Sequence, residues 1–430
     1  MQYNYKKPIA SLDGEEIFAH LPPTRCGIRD RELIDEVLDD GFGNKESANM
    51  LARFEATFAA KFRSDYAISM NSGSGTIVAC LLGAGVGPGD EVIVPSLTMA
   101  ATAFAVIQCN AVPVFVDSNS RTYCMEVEDL ARKITEHTRA VIPVSIFGLS
   151  PDFDPILELA RKNNLVVIED DAQTFLGEYK RNLVGTLGHS ASFSFQGSKH
   201  MTSGNDGGMV VTSDDEYATR IRKAAVQGYR VLSARPGATM IPRDIRQDWS
   251  FERHDALGYN FRMSAPQAAL GLAQLERLDY LVAARRYIAG QYERVIQEEK
   301  CKWLIPPYTP QGCLHTYWTY PVRLDEQNLG VDWRQFRKVF IESGGDGLYG
   351  CYTPVHLEPV FRDLSFYGSK ERSPLYDPRY KGNVKGYGEW DCPTLKGIRK
   401  QLCLFKTGMQ RMENVKLQVD ALQATIRHFA

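Results

Sequence analysis

The sequence predicts an α/β protein with a mainly parallel central sheet in a large domain and a smaller α+β C-terminal domain. Three observations carry this. Between residues 66 and 170, short β-rich runs alternate with helical stretches. Those runs are apolar on both faces, as strands covered by helices on either side require. And 430 residues exceed the size at which a single core stops growing, roughly 250–300 residues, so the chain should divide.

After a polar N-terminal segment, residues 29–41 and 46–62 read as helices, the second with Met50, Leu51, Phe54 and Phe58 at helical spacing. Tyr66–Met70 reads as a strand and 77–83 as a helix; Glu91–Pro95 is a strand and 98–109 a helix. Residues 112–117 are a strand, 127–134 a helix, 140–145 a strand, 154–163 a helix and 165–170 a strand. The pattern weakens after Gln227. Residues 232–256 are polar, hold two prolines and read as a long loop, a feature that in compact proteins is usually functional or mobile. A helix over 265–297 bridges into the smaller domain, which has a strand at 317–324 and helices at 333–343 and from about 413. Residues 366–391, rich in Gly, Tyr and charge, read as a surface excursion. The expected division is 1–265 and 266–430.

Composition excludes several classes. Hydrophobic residues make up 44% and charged residues 24%, as in ordinary globular chains. Fifty basic against fifty-two acidic residues, with no long like-charge block, give no footprint for nucleic acid. The nine cysteines are scattered without a C-x-x-C, so neither a disulfide framework nor a metal site is expected. The N-terminus lacks the apolar stretch of a signal peptide, and no apolar run is long enough for a membrane span. A cytoplasmic location is expected.

Three constellations carry chemistry. Asn71-Ser-Gly-Ser-Gly-Thr lies between a strand and a helix, where Gly73, Ser74 and Gly75 could cradle a phosphate on backbone N–H groups. Alone, such a segment is more often only a turn. Glu169-Asp-Asp-Ala-Gln ends an apolar strand, where open α/β sheets bind ligands; an acid there either pairs with a charged ring nitrogen or is merely a solvated strand end. Lys199 follows Ser192-Phe-Ser-Phe-Gln-Gly-Ser and precedes a glycine-rich turn. A lysine whose charge is disfavoured can form an imine, although most lysines extend to solvent. Phosphate loop, carboxylate and lysine, each at a strand end of one sheet, together meet the needs of pyridoxal 5'-phosphate (PLP).

At these residues the sequence resembles the DegT-type sugar aminotransferases of the fold-type I PLP enzymes. The similarity runs from about residue 30 to the C-terminus. Its carriers are Gly87-Pro-Gly-Asp-Glu-Val-Ile-Val-Pro-Ser, Glu169-Asp-Asp-Ala-Gln, Ser192-Phe-Ser-Phe-Gln-Gly-Ser-Lys, Gly258-Tyr-Asn-Phe-Arg-Met and Gln267-Ala-Ala-Leu-Gly-Leu-Ala-Gln-Leu. The resemblance implies Lys199 as the imine-forming lysine, Asp170 on the pyridine nitrogen and Gln173 on the ring's phenolic oxygen. Ser194 and the Ser74–Gly75 turn would hold the phosphate, and Asn260 would reach the phosphate of the neighbouring subunit in a homodimer with shared sites. His356 would lie on a loop approaching the site mouth and touch substrate. Two departures stand out: Met99 occupies a position that often carries an aromatic ring against the cofactor, and Gly204-Asn-Asp-Gly-Gly is one residue longer than the usual Gly-Glu-Gly-Gly.

The function so implied is transfer of an amino group from glutamate or glutamine to a keto-sugar, most often nucleotide-linked, with a keto-inositol acceptor as the alternative. Related sugar dehydratases carry His in place of the lysine. Here His200 is one position beyond Lys199, on the other face if the chain stays extended. A PLP-fold sensor protein would need a DNA-binding appendage, and none is evident.

Overall fold

The computed structural model describes residues 8–42, 49–388 and 391–430. Residues 46–48 of the expected second helix, the first seven residues, and Glu389 and Trp390 of the expected excursion lie outside the described residues.

Seven strands build the main sheet: β1 (Tyr66–Met70), β2 (Glu91–Pro95), β3 (Val112–Val116), β4 (Thr138–Val141), β5 (Val166–Asp170), β6 (Ser190–Ser194) and β7 (Gly208–Thr212). Their order is β1-β7-β6-β5-β4-β2-β3. All neighbours are parallel except β7, which runs antiparallel to both β1 and β6. Strands β2, β6 and β7 are buried along their whole length because helices cover both faces. Helix Gly73–Gly83 is apolar nearly all round and correspondingly buried.

Some expected elements shift for identifiable reasons. The helix expected over 77–83 begins at Gly73, because the Ser72 side chain caps it by accepting from the Gly75 N–H at 3.1 Å. The segment read as a turn is therefore the first helical turn. The helix after β2 starts only at Ala101, leaving 98–100 as a turn at the strand's C-terminal end. The bridging helix is two helices, Ala265–Glu276 and Leu278–Glu298, broken at Arg277 (φ −111°, ψ 13°). Arg277 is engaged there by buried Asp30 at 2.8 Å and by the Arg25 carbonyl. The loop 232–256 contains the short helix Arg243–Gln247 and buries Leu232, Ala234 and Ile241.

The smaller sheet is antiparallel, joining Leu304–Ile305, Thr319–Leu324, Leu402–Lys406 and Leu348–Gly350 in that order. Helices Trp333–Glu342 and Met412–His428 pack beside it. One hydrophobic core runs without interruption from Phe58 under the main sheet to Phe405 in the small one. The excursion 366–391 is not detached. Tyr380 donates to buried Glu91 (2.8 Å), Tyr387 donates to the Pro113 carbonyl (2.8 Å), and Leu375 packs with Val112. It thereby covers the open edge of the sheet at β3. No helix among the described residues is long and apolar enough to cross a membrane.

Candidate active site

Strand alternation decides which acids face which way. On β5, Glu169 and Asp171 share one face and Asp170 the other. Glu169 accepts from the N–H groups of Gly185, Leu187 and Gly188 at 2.8, 2.6 and 2.6 Å. Burial nevertheless raises its carboxyl to about 7. Asp171 accepts from the Ser145 hydroxyl at 2.6 Å, and burial, with Glu169 as neighbour, raises it well above the usual range. These two acids serve the reverse side of the sheet.

Asp170 faces the lysine. Its Oδ2 accepts from the Thr102 hydroxyl (2.8 Å) and its Oδ1 from the Ala172 N–H (3.2 Å). Burial raises its carboxyl, while these donors and the Lys199 charge pull it back. Lys199 sits in the turn after β6 and is 9% exposed. Burial pushes its ammonium down to about 8, against the Asp170 charge, which raises it; Arg285 lowers it further. Its Nζ lies 4.4 Å from the centroid of the Trp318 ring. Its carbonyl accepts from Arg25 (2.9 Å) and Arg285 (3.0 Å), so two guanidinium groups fix the peptide that carries the amine.

Around this pair the other expected residues fall as follows. Gln173 is buried, its Oε1 accepting from the Phe147 N–H at 2.7 Å, with the Tyr352 hydroxyl bonded to the same amide. Ser194 closes against Gly73: a Cβ there would stand 2.7 Å from the Ser194 Cβ, so only glycine lets the helix terminus approach the strand end. A Cβ at Gly75 would stand 3.2 Å from the Phe261 ring, which covers this turn, and Ser74 is exposed. The Gly73 and Ser74 amides have no carbonyl one turn back and can face an anion, while the Gly75 N–H is taken by the Ser72 cap. Met99 is 60% exposed in the turn after β2, its carbonyl starting the helix that carries Thr102. Asn260 is exposed, in an extended segment bridged to Val226, and the next residue is the Phe261 that covers Gly75. His356 is 1% exposed, its Nδ1 bonded to the Ser96 hydroxyl and its ring 5.8 Å from Phe115. It therefore packs behind the β2 turn.

His200 points to the reverse face. Its Nε2 meets the Thr316 carbonyl at 3.0 Å, its ring lies beside Phe175, and burial drives its pKa well below the usual imidazole value. It does not stand in for the lysine. The longer 204–208 turn is tied down: Gly197 N–H donates to the Asn205 carbonyl (3.0 Å) and Gln267 to that of Asp206 (3.3 Å).

Sequence reasoning missed Thr102, Trp318, Tyr352, Arg25 and Arg285. Thr102 had a usable signal, one helical turn after Thr98 at a strand's C-terminal end; the others converge only through tertiary packing. A flat phosphorylated pyridine fits the donor set. A glycine-only helix terminus would take the phosphate, a buried carboxylate the ring nitrogen, and a buried amine the aldehyde carbon.

A solved aminotransferase from Psychrobacter cryohalolentis superposes with a TM-score of 0.79 and 25% identity, covering 95% of this chain and 99% of that one. The GDP-perosamine synthase of Caulobacter vibrioides is 40% identical over 315 residues, 73% of this chain and 79% of that protein. The L-glutamine:2-deoxy-scyllo-inosose aminotransferase of Streptomyces lividus is 34% identical over 304 residues, 69% of each chain. The profile of the DegT/DnrJ/EryC1/StrS aminotransferase family matches residues 27–374. With that match over most of its length, and with an aminotransferase fold carrying a buried lysine opposite a buried aspartate, the chain belongs to the DegT/DnrJ/EryC1/StrS aminotransferase family.

Proposed function

We propose that the chain moves an amino group from glutamate or glutamine to the keto carbon of a nucleotide-linked sugar, with PLP bound at Lys199. The observation that carries this is the Lys199–Asp170 pair on one face of the sheet, the amine's pKa pushed down by burial to about 8 and the carboxylate oriented by Thr102. The relative named for a GDP-linked amino sugar is 40% identical, against 34% for the one named for a cyclitol, which favours the nucleotide-linked acceptor; a keto-inositol is the second reading.

When bound, PLP supplies an electron sink that stabilises negative charge at the substrate carbon. The chain's residues do the rest. Asp170 would hold the proton on the ring nitrogen, and a carboxylate is required there because it favours the charged ring. Lys199 Nζ, with a pKa of about 8, would take and return the proton at the substrate carbon, a task suited to a group titrating near the working pH. Ser194 and the amides of Gly73 and Ser74 would bind the phosphate, with Gly75 leaving room for their approach. Gln173, its amide locked by Phe147 and Tyr352, would orient the phenolic oxygen. Met99 would cover the ring face with a thioether. Asn260 would complete the partner's phosphate site in a homodimer, and His356 would shape the acceptor side through Ser96. The nine unpaired cysteines suit a reducing cytoplasm.

A donor and acceptor screen tests this. The cofactor's absorbance should be lost on adding glutamate or glutamine and restored by a nucleotide-linked keto-sugar. Restoration by 2-deoxy-scyllo-inosose alone would move the assignment to cyclitols, and no loss with either amino acid would end it.

A further inference from the structure

Lys199 Nζ makes no hydrogen bond or ion pair among the described residues; what meets it is the Trp318 ring, whose centroid is 4.4 Å away. The indole is not free to turn aside. Its Nε1–H donates to the carbonyl of Ser198, the residue before the lysine, at 3.0 Å. The Trp318 carbonyl accepts from Arg285 (2.7 Å) and from the Thr407 hydroxyl (2.8 Å). Arg285 donates in turn to the Ser198 and Lys199 carbonyls at 2.9 and 3.0 Å. Ring and lysine are thus fastened to the same turn of chain.

A cation over an indole is attracted by the ring's quadrupole, most strongly where water is excluded. Both conditions hold here. Lys199 is buried, and a pocket of about 560 Å³ beside the Gly197–Ser198 turn is lined by Trp318 but not by the lysine. The indole therefore stands between the amine and that pocket's solvent. The charged groups facing the amine are few. Asp170, from the end of β5, favours its protonated form, and Arg285 opposes it. Arg25 bonds the lysine carbonyl and adds a second positive charge. His200 points to the reverse face, and burial keeps it neutral. With Asp170 committed to the cofactor's ring nitrogen, the ammonium has no carboxylate of its own.

We propose that the Trp318 ring is the seat of the Lys199 ammonium, holding the amine in place whenever it is not bonded to the cofactor. The inference rests on the aminotransferase reading above, in which Trp318 is a positioning residue. When Nζ takes the proton from the substrate carbon, the electron pair stays with the carbon and the cofactor. The positive charge so formed lies on a nitrogen already over the indole. Return of the proton removes the charge without moving the nitrogen.

The test keeps the ring's shape and changes its electrostatics, because truncation would open the amine to the pocket and relieve its burial. Mono-, di- and trifluorinated tryptophan placed at position 318 weaken the quadrupole in steps. In cofactor-free protein, acetylation of Lys199 by acetic anhydride is followed against pH by mass spectrometry, with the other lysines as reference. It should inflect near pH 8 in the parent. The inflection should move down in steps, by about one pH unit over the series, since a weaker seat favours the charged form less. A role in packing alone would leave it in place. A second measurement needs no unnatural residue. Indole emission shifts when a charge appears over the ring, so the fluorescence of cofactor-free protein should titrate with the same inflection, and Lys199→Ala should lose that titration. An inflection that stays fixed across the fluorinated series would overturn the proposal, as would a fluorescence titration that is absent or that survives in Lys199→Ala. Neither readout uses turnover. If no amino acid serves as donor, the aminotransferase reading falls and the seat is still judged; if donors react and the inflection stays fixed, the seat falls alone.

Discussion

The Thr102 hydroxyl donates to Asp170 Oδ2 at 2.8 Å, joining the first turn of the helix after β2 to the C-terminal end of β5. Thr98 lies 3.1 Å from the same hydroxyl, so the turn that follows β2 is itself tied into the arrangement. The bond matters because Asp170 is buried and its carboxyl is pushed up by burial. A buried carboxylate stays ionised only where donors and a cation compensate its lost hydration.

Thr102→Val should therefore weaken PLP binding without altering the fold. Removing a hydrogen bond to a charged group costs about 1.5–3 kcal/mol, roughly tenfold to a hundredfold in affinity. The loss should grow as pH falls, because the freed carboxyl protonates at higher pH than before. Equilibrium dialysis with PLP between pH 6 and 8 checks this, and Thr102→Ser should restore binding.

Asp170→Asn and Asp171→Asn separate the two faces of β5. The first should lower PLP affinity at least tenfold and slow turnover; the second should leave both nearly unchanged. Asp171 belongs to a different observable. Its folded carboxyl pKa, like that of Glu169, is raised, so the native state binds more protons than the unfolded chain. Stability should then fall as pH rises from the unfolded carboxyl range, about 4, through neutrality, and the penalty is full above the folded values. Asp171→Asn should flatten that slope in urea titrations at pH 5 and 7.5. A strong effect of Asp171→Asn on PLP, with none from Asp170→Asn, would mean that the faces are assigned in reverse.

From the residues alone the role of the acids in Glu169-Asp-Asp stayed open, and only the resemblance singled out Asp170; strand alternation supplies the physical reason that Asp170 and Asp171 diverge. Strands β2 and β3 were legible, since runs apolar on both faces between turn residues have few alternatives. Strand β7 was not, because it follows the Gly-rich turn after Lys199 and its antiparallel pairing is set by β1, far away in sequence. The break at Arg277 was equally hidden: residues 265–297 have helical periodicity throughout, and the interruption coincides with the ion pair to Asp30, distant in sequence. Arg25, Trp318 and Tyr352 reach the site from three separate segments, and no local pattern marks them.

Lys199 should leave a signature in the stability of cofactor-free protein. Its folded pKa of about 8 lies below the unfolded lysine value of about 10.4, so between them the unfolded chain binds the extra proton. Stability should rise with pH across that window, and the burial penalty is present in full below pH 8. Lys199→Ala should abolish turnover, keep the fold and lose this rise. Urea denaturation at pH 7.5 and 9.5 measures it; equal slopes in both proteins would show that the amine is not desolvated.

Subunit mixing tests the shared site. Asn260 stands in an extended segment next to Phe261, and adjacent residues in extended chain point to opposite sides. Phe261 covers Gly75 of its own chain, so Asn260 is turned away from its own phosphate turn and is exposed. An exposed asparagine at a loop end is otherwise unremarked turn chemistry. If it serves the partner, Asn260→Ala should be impaired although its own Lys199 is intact. Lys199→Ala is inactive for the opposite reason. In a mixed dimer, the site holding the intact Lys199 receives the intact Asn260 from the Lys199→Ala subunit, while the other site lacks both. Activity should recover to at most about half the parent rate per dimer, given independent sites. Co-expression with two different affinity tags isolates the hybrid and fixes its stoichiometry. An inactive hybrid would place Asn260 in its own subunit's site or outside the chemistry.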